Sequence, residues 1–410
     1  MSSPGYPSFI LPTRILPWSI TVKDAEGNLS LLEEKGLKYM GATRKTLADG
    51  ESLSFSWTKK GSQPYSVTVT VELSSGDELP LWSLRATLPD NMVVSRFTFP
   101  SFELPRSEEM VLLLPAGYGI EMDVTDRTQA FTQYPSGSGT MQLIMAYTPQ
   151  GSYFLSTRDH SAAAKEFRAF SDTEGLRLYT TCTASEAWTH DGNFEVPWKS
   201  VFGYRPGRWE DTARQWYLPF TYKTDWGRQT LAERKIPHWL KDNDVWIQKS
   251  IRDTLFELLQ TYHLLGKPCP THWYGWHQHP FDTLYPEYFP EKEGIKEIFH
   301  RAQTVGGKVV PYINGRLFDP ASGTYAWLRA DTAMCRDANG ETYVEVYHSQ
   351  VPHEISCPST PLWQRIQQKL VTRISDSLET AGVYIDQVAC AAPKPCYAPN
   401  HPHAPGGGSW

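Results

Sequence analysis

Polar and apolar residues alternate with a period of two through the first half of the chain. Leu53, Phe55 and Trp57 alternate with Ser52, Ser54 and Ser56. After the turn Lys59-Lys-Gly-Ser-Gln-Pro64, Tyr65, Val67, Val69, Val71 and Leu73 alternate with Ser66, Thr68, Thr70 and Glu72. One apolar face every second residue marks a half-buried antiparallel strand, so the two runs predict a hairpin. Similar short runs recur at 92–99, 110–114, 142–147, 153–156, 165–170 and 176–181, between Gly, Pro and Asp turns. Many short strands punctuated this way predict a β-sandwich over residues 1–226. Gly203-Tyr-Arg-Pro-Gly207 reads as a turn, 208–217 as a helix, and 227–243 as a charged connector.

From Asp244 the pattern becomes strand, helix, strand. Val245-Trp-Ile247 is a short apolar run, followed by Ile251, Leu255, Leu258, Leu259 and Tyr262 at helical spacing and by Gly266 and Pro268 as a stop. Residues 271–276 and 309–313 read as strands around a helix carrying Ile295, Ile298, Phe299, Ala302 and Val305. After a long excursion, Thr360 and Pro361 supply an N-cap and first-turn proline for a helix with Leu362, Ile366, Leu370, Ile374 and Leu378 inward. Val383-Tyr-Ile385 is the fourth strand. Strict alternation predicts a parallel sheet with right-handed crossovers over 244–410. A complete (β/α)8 barrel takes roughly 250 residues, more than this stretch offers. The expectation is the first half of a TIM-type barrel, with an open four-stranded sheet as the alternative.

Parallel strands present their chemistry where the βα loops crowd together, at their C-terminal ends. The first strand brings Gln248 there. The second brings Trp273, Tyr274, Trp276, His277, Gln278 and His279, with Asp282 in its loop, and the third brings Tyr312, Asn314, Arg316 and Asp319. Asp386 and Gln387 follow the fourth. Carboxylates, polar groups and aromatic faces gathered at one rim suit a sugar. Asp386, directly after three apolar residues, is the candidate catalytic carboxylate; its bland reading is a loop-capping aspartate. Asp282 and Asp319 divide between sugar ligands and turn residues.

His277-x-His279 has no third metal ligand at a compelling spacing. Cys390-x5-Cys396-x4-His401-x-His403 could supply two thiolates and two imidazoles to zinc, but it matches no common finger or ribbon. A loop lying over the substrate, with His401 and His403 binding sugar, is the preferred account, with no metal and no cofactor expected. No dinucleotide, phosphate-loop or nucleophile-elbow signature occurs.

Composition narrows the partners. The formal charge of −6, from 39 basic against 45 acidic residues, does not favour nucleic acid. The 15 Trp and 21 Tyr suit carbohydrate as well as a β-rich core. Neither a signal peptide nor a membrane span is evident, which makes the cytoplasm the default expectation. Six scattered cysteines set out no disulfide framework.

The blocks Trp273-Tyr-Gly-Trp-His-Gln-His-Pro-Phe-Asp282, Pro311-Tyr-Ile-Asn-Gly-Arg316, Cys357-Pro-Ser-Thr360 with Trp363, and Tyr384-Ile-Asp-Gln387 running into Cys396, His401, His403 and Gly406-Gly-Gly-Ser-Trp410 resemble a family of bacterial glycoside-hydrolase-like proteins catalogued as a domain of unknown function. The resemblance implies a galactose-mutarotase-like supersandwich before a TIM-type barrel, similar to retaining α-galactosidases and endo-α-N-acetylgalactosaminidases. In such enzymes the nucleophile ends the fourth strand and the acid/base ends the sixth. Asp386 matches the first position, and the second is expected beyond Trp410. Two functions follow as expectations: a retaining glycoside hydrolase acting on a carbohydrate, or a carbohydrate-binding protein or inactive hydrolase fragment.

Overall fold

The computed structural model describes residues 18–61, 64–136, 138–250 and 254–408. Ser62 and Gln63 of the expected turn, Ile251 of the expected helix, and Ser409 and Trp410 lie outside the described residues. The chain divides into two compact units, Met1–Thr230 and Leu231–Trp410.

Among the described residues, the first unit holds a six-stranded and an eleven-stranded sheet, with all the strand pairings that join them antiparallel. The predicted hairpin forms in register from Lys59↔Tyr65 to Gly50↔Ser74. Trp57, Tyr65, Val67 and Val69 face inward and share one core with Ile20, Val22 and Phe97 of the opposing sheet and with Trp18 just before it, whereas Leu73, near the far end of the hairpin, is exposed. A second core joins Phe102, Leu176 and Leu178 to Leu112, Ile144 and Leu155. Two sheets burying apolar faces against each other make a sandwich.

The expected turn at Gly203–Gly207 is corrected. Ser200–Pro206 is a strand whose Gly203 pairs with Phe154. Glycine leaves room there for close packing, since a Cβ would stand 2.3 Å from Leu79 Cδ2 and 3.3 Å from the Trp216 ring and would displace the Leu79 side chain. That ring belongs to the helix Trp209–Trp216, which covers this face of the sheet with Phe154, Met145 and Val201.

The second unit contains the expected alternation: β1 (Ile247–Lys249), α1 (Leu255–Leu265), β2 (Pro270–Trp273), α2 (Ile295–Thr304), β3 (Lys308–Asn314), α3 (Pro361–Leu378) and β4 (Tyr384–Asp386). The strands pair in parallel in the order β1-β2-β3-β4. Thr271 of β2 meets the Tyr262 hydroxyl of α1 at 2.9 Å, and Trp273 packs on Phe299 of α2. One sheet face is thereby committed to helices. α1 starts at a capping box between Thr254 and Glu257 and stops at left-handed Gly266.

At α3, Thr360 takes the expected N-cap position. Its side chain makes no capping bond and instead donates its hydroxyl to Cys357 O at 2.8 Å, and Pro361 occupies the first turn. The excursion between β3 and α3 holds a small antiparallel sheet of Leu317–Phe318, Val344–Val346 and Pro352–Ile355. No helix among the described residues is long and apolar enough to cross a membrane.

Candidate active site

Parallel pairing aligns Gln248 with His272 and Val310, Tyr312 with Tyr384, and Asn314 with Asp386. Aligned residues share a sheet face, so these side chains lie opposite the helix-packed face. There the ring of His272 lies 4.4 Å from Tyr274 and 3.9 Å from Tyr384. Tyr274 stacks on Tyr312 at 4.7 Å, and Phe281 reaches Tyr312 at 5.2 Å.

Asp386 stands at the end of this aromatic face, partly buried. Its Oδ2 accepts from the Tyr312 hydroxyl at 3.1 Å, and its Oδ1 accepts from the Gln387 amide at 2.9 Å. Burial, then the neighbouring Tyr384 and Asp386, pushes Tyr274 up to about 12. Burial lowers His272, while the Asp386 charge opposes that shift. Asp282 is held above the ordinary carboxylate range, first by burial and also by the Asp386 charge. The Tyr285 hydroxyl donates to Asp282 Oδ1 at 3.1 Å and works the other way. Two carboxyls and a bank of rings therefore act on one another electrostatically. A carboxylate anchored by a phenol beside flat apolar faces can orient a sugar ring and offer an oxygen to its anomeric carbon.

Other predicted residues point elsewhere. Trp273 belongs to the helix-packed core, since neighbours along a strand face opposite ways. Trp276 is buried, stacks on Tyr288 and donates its indole N–H to Tyr312 O at 2.8 Å. His277 packs edge-on against Trp276 and Tyr288. Burial, with the charges of Lys292 and His279, lowers it to about 4 and keeps it neutral. His279 is only partly exposed, in the loop after β2. Asn314 is the exception: it stays on the Asp386 face, buried, with Nδ2 3.5 Å from the Tyr312 hydroxyl and Oδ1 accepting from the amides of Arg316 and Leu317. The Arg316 guanidinium is fully buried, 3.3 Å from Glu345 Oε1. Asp319 ties two loops together, accepting from Leu284 N at 2.7 Å and Ala321 N at 2.8 Å. Gln387, at φ +69°, donates to the Tyr347 hydroxyl at 2.9 Å.

His401 and His403 are drawn to cysteines, 3.4 Å from Cys396 Sγ and 3.3 Å from Cys357 Sγ. Cys390, which the sequence spacing groups with them, is exposed and lies instead 3.9 Å from Asp386 Oδ1. Sequence reasoning missed His272, Phe281 and Tyr384 as members of the aromatic face. The parity of positions 272 and 274 along one strand was the available signal for the first.

The family model described as a domain of unknown function, DUF6259, matches residues 194–410. The "Putative glycoside hydrolase" of Bacteroides thetaiotaomicron is 38% identical over 398 residues, covering 96% of this chain and 59% of that protein. A Monosiga brevicollis protein of similar description is 28% identical over 411 residues, covering 88% of this chain and 34% of its own length. The chain thus spans well under two thirds of these relatives. Among solved structures, the α-N-acetylgalactosaminidase NagBb of Bifidobacterium bifidum in complex with GalNAc has a TM-score of 0.72 at 14% identity, over 96% of this chain and 68% of that one. Its ligand-free form gives 0.68 at 14% identity, over 93% and 71%. At that identity the likeness is one of fold. With the matched model extending over more than half of its residues, the chain belongs to the DUF6259 family.

Proposed function

We propose that this chain forms the sandwich and the opening half of the (β/α)8 barrel of a retaining glycoside hydrolase acting on an α-linked sugar, with Asp386 as its nucleophile. The observation that carries the reading is the pairing of Asn314 with Asp386 and of Tyr312 with Tyr384, beside the Tyr274 and His272 rings. It sets a carboxylate next to aromatic faces at the C-terminal ends of parallel strands, where barrel chemistry lies. The name of the 38% identical relative supports the hydrolase class.

In the proposed reaction, the Asp386 carboxylate adds to the anomeric carbon as the bond to the leaving oxygen breaks. A general acid gives that oxygen a proton, and water then displaces the sugar from Asp386. The Tyr312 hydroxyl, donating to Oδ2, orients the attacking group. Asp282, Tyr274 and His279 are proposed to meet sugar hydroxyls. A retaining acid sits about 5–5.5 Å from its nucleophile. We assign it to further strand–helix units, for which the longer relatives have room.

A 5-fluoro-α-glycosyl fluoride panel, incubated with the longest natural form containing these residues, is expected to label the peptide bearing Asp386, as read by mass spectrometry. Asp386→Asn should lower kcat on the order of 10³-fold or more while sugar binding persists. A label on another carboxylate, with Asp386→Asn fully active, overturns the assignment. Binding without turnover in both forms selects the second reading, a carbohydrate-binding protein, which the exposed parts of the aromatic face favour.

A further inference from the structure

Away from the aromatic face, the second unit gathers soft donors. Cys357, just before α3, and Cys396, His401 and His403, in the segment after β4, place one ligand atom each within 4.8 Å of all the others. Both thiols are buried. The edge of a zinc tetrahedron between sulfur and imidazole nitrogen is about 3.5 Å. The two shortest sulfur–nitrogen separations, 3.3 and 3.4 Å, already lie near that value.

The histidines are oriented for this task. His401 turns Nδ1 to Cys396 and places Nε2 2.9 Å from Thr332 O. His403 turns Nε2 to Cys357 and places Nδ1 2.9 Å from Ala404 O. A backbone carbonyl accepts only from a protonated nitrogen, so each ring in its neutral form has its lone pair aimed into the cluster. This outer bonding is what ligating histidines use to fix their tautomer. The glycine run closes the cradle: Cys396 N donates to Gly407 O and Gly406 N to Cys396 O, both at 2.9 Å. Gly408 sits at φ +62°, where a Cβ would stand 2.3 Å from the His403 ring.

We propose that Cys357, Cys396, His401 and His403 bind one structural divalent zinc-class ion in a closed tetrahedral site. Two thiolates and two imidazoles select zinc over hard cations, and four protein ligands leave no open position for catalysis. The buried Cys335 thiol donates to Ser356 O at 3.6 Å and shares one core with Cys357 and Cys396. The ion clasps the segment following Asp386 to the loop that leads into α3, and so fixes the loop beside the proposed nucleophile without entering the reaction.

The test uses the purified 410-residue chain, reduced and dialysed free of loose metal. Elemental analysis should find about one zinc per chain, and cobalt(II) added after chelation should give a thiolate-to-cobalt charge-transfer band with tetrahedral ligand-field bands. Cys396→Ser and His403→Ala should weaken cobalt binding at least 100-fold, whereas Cys390→Ser should bind as the parent does. The cobalt spectrum of the parent needs no variant to fold. Absence of the charge-transfer band, a Cys357–Cys396 disulfide in the freshly isolated chain, or full binding by Cys396→Ser each overturns the proposal. These readings are independent of turnover, so they stand apart from the hydrolase assignment.

Discussion

Two aspartates illustrate how surroundings set the cost of a charge. Asp282 is pushed up by burial, and the Asp386 charge adds to the shift. Its folded pKa lies above the unfolded one, so the associated stability is complete below the unfolded carboxylate range and is lost as pH rises through the folded value. Asp282→Asn keeps an acceptor for the Tyr285 hydroxyl and removes the charge. It should raise the melting temperature at neutral pH by on the order of 2 °C, with the gain vanishing in acid; scanning calorimetry at the two pH values decides. Asp159 is the opposite case. Burial would raise it, but the Lys165 ammonium 2.7 Å away and bonds from Ser161 prevail and hold it low. Its contribution is present above the unfolded carboxylate range and is lost as pH falls through the folded pKa. Asp159→Asn strands a buried ammonium and should cost about 3–5 kcal/mol at neutral pH, measured by urea unfolding.

At the scale of elements, strand parity and caps separate roles that adjacent residues conceal. Trp273 packs on Phe299, whereas Tyr274, the next residue, stacks on Tyr312. Trp273→Ala should therefore destabilise the fold by about 3–5 kcal/mol, while Tyr274→Ala should chiefly weaken sugar binding; melting and ligand titration of both variants separate the outcomes. The capping box at α1 makes a second contrast with α3. Thr254 accepts from Glu257 N, while Glu257 Oε2 accepts from Thr254 N at 2.7 Å. Thr254→Ala should cost about 1 kcal/mol, read from the denaturation midpoint.

For the molecule as a whole, each unit carries its own apolar core, and among the described residues β4 ends the order of the four-stranded parallel sheet, with β3 as its one strand partner. Beside β4, the exposed Tyr384, Ile385 and Val388 flank that strand edge. Unpaired edges with apolar side chains invite association. The chain should self-associate with rising concentration in light scattering, and replacing Ile385 and Val388 by serine should reduce it.

The sequence by itself determined the element plan: period-two alternation specified the hairpin from Gly50 to Ser74, and helical spacing with its stops specified α1, α2 and α3. It also set Asp386 at a strand end, because local periodicity carries that much. Tertiary structure decided what depends on partners distant in sequence. Ser200–Pro206 became a strand because Gly151–Thr157 lies alongside it. Trp276 and Asp319 became props because loops from elsewhere closed around them. Cys357, and not Cys390, joined the histidines because folding brings the approach to α3 against the segment after β4, a meeting that no spacing within one loop encodes.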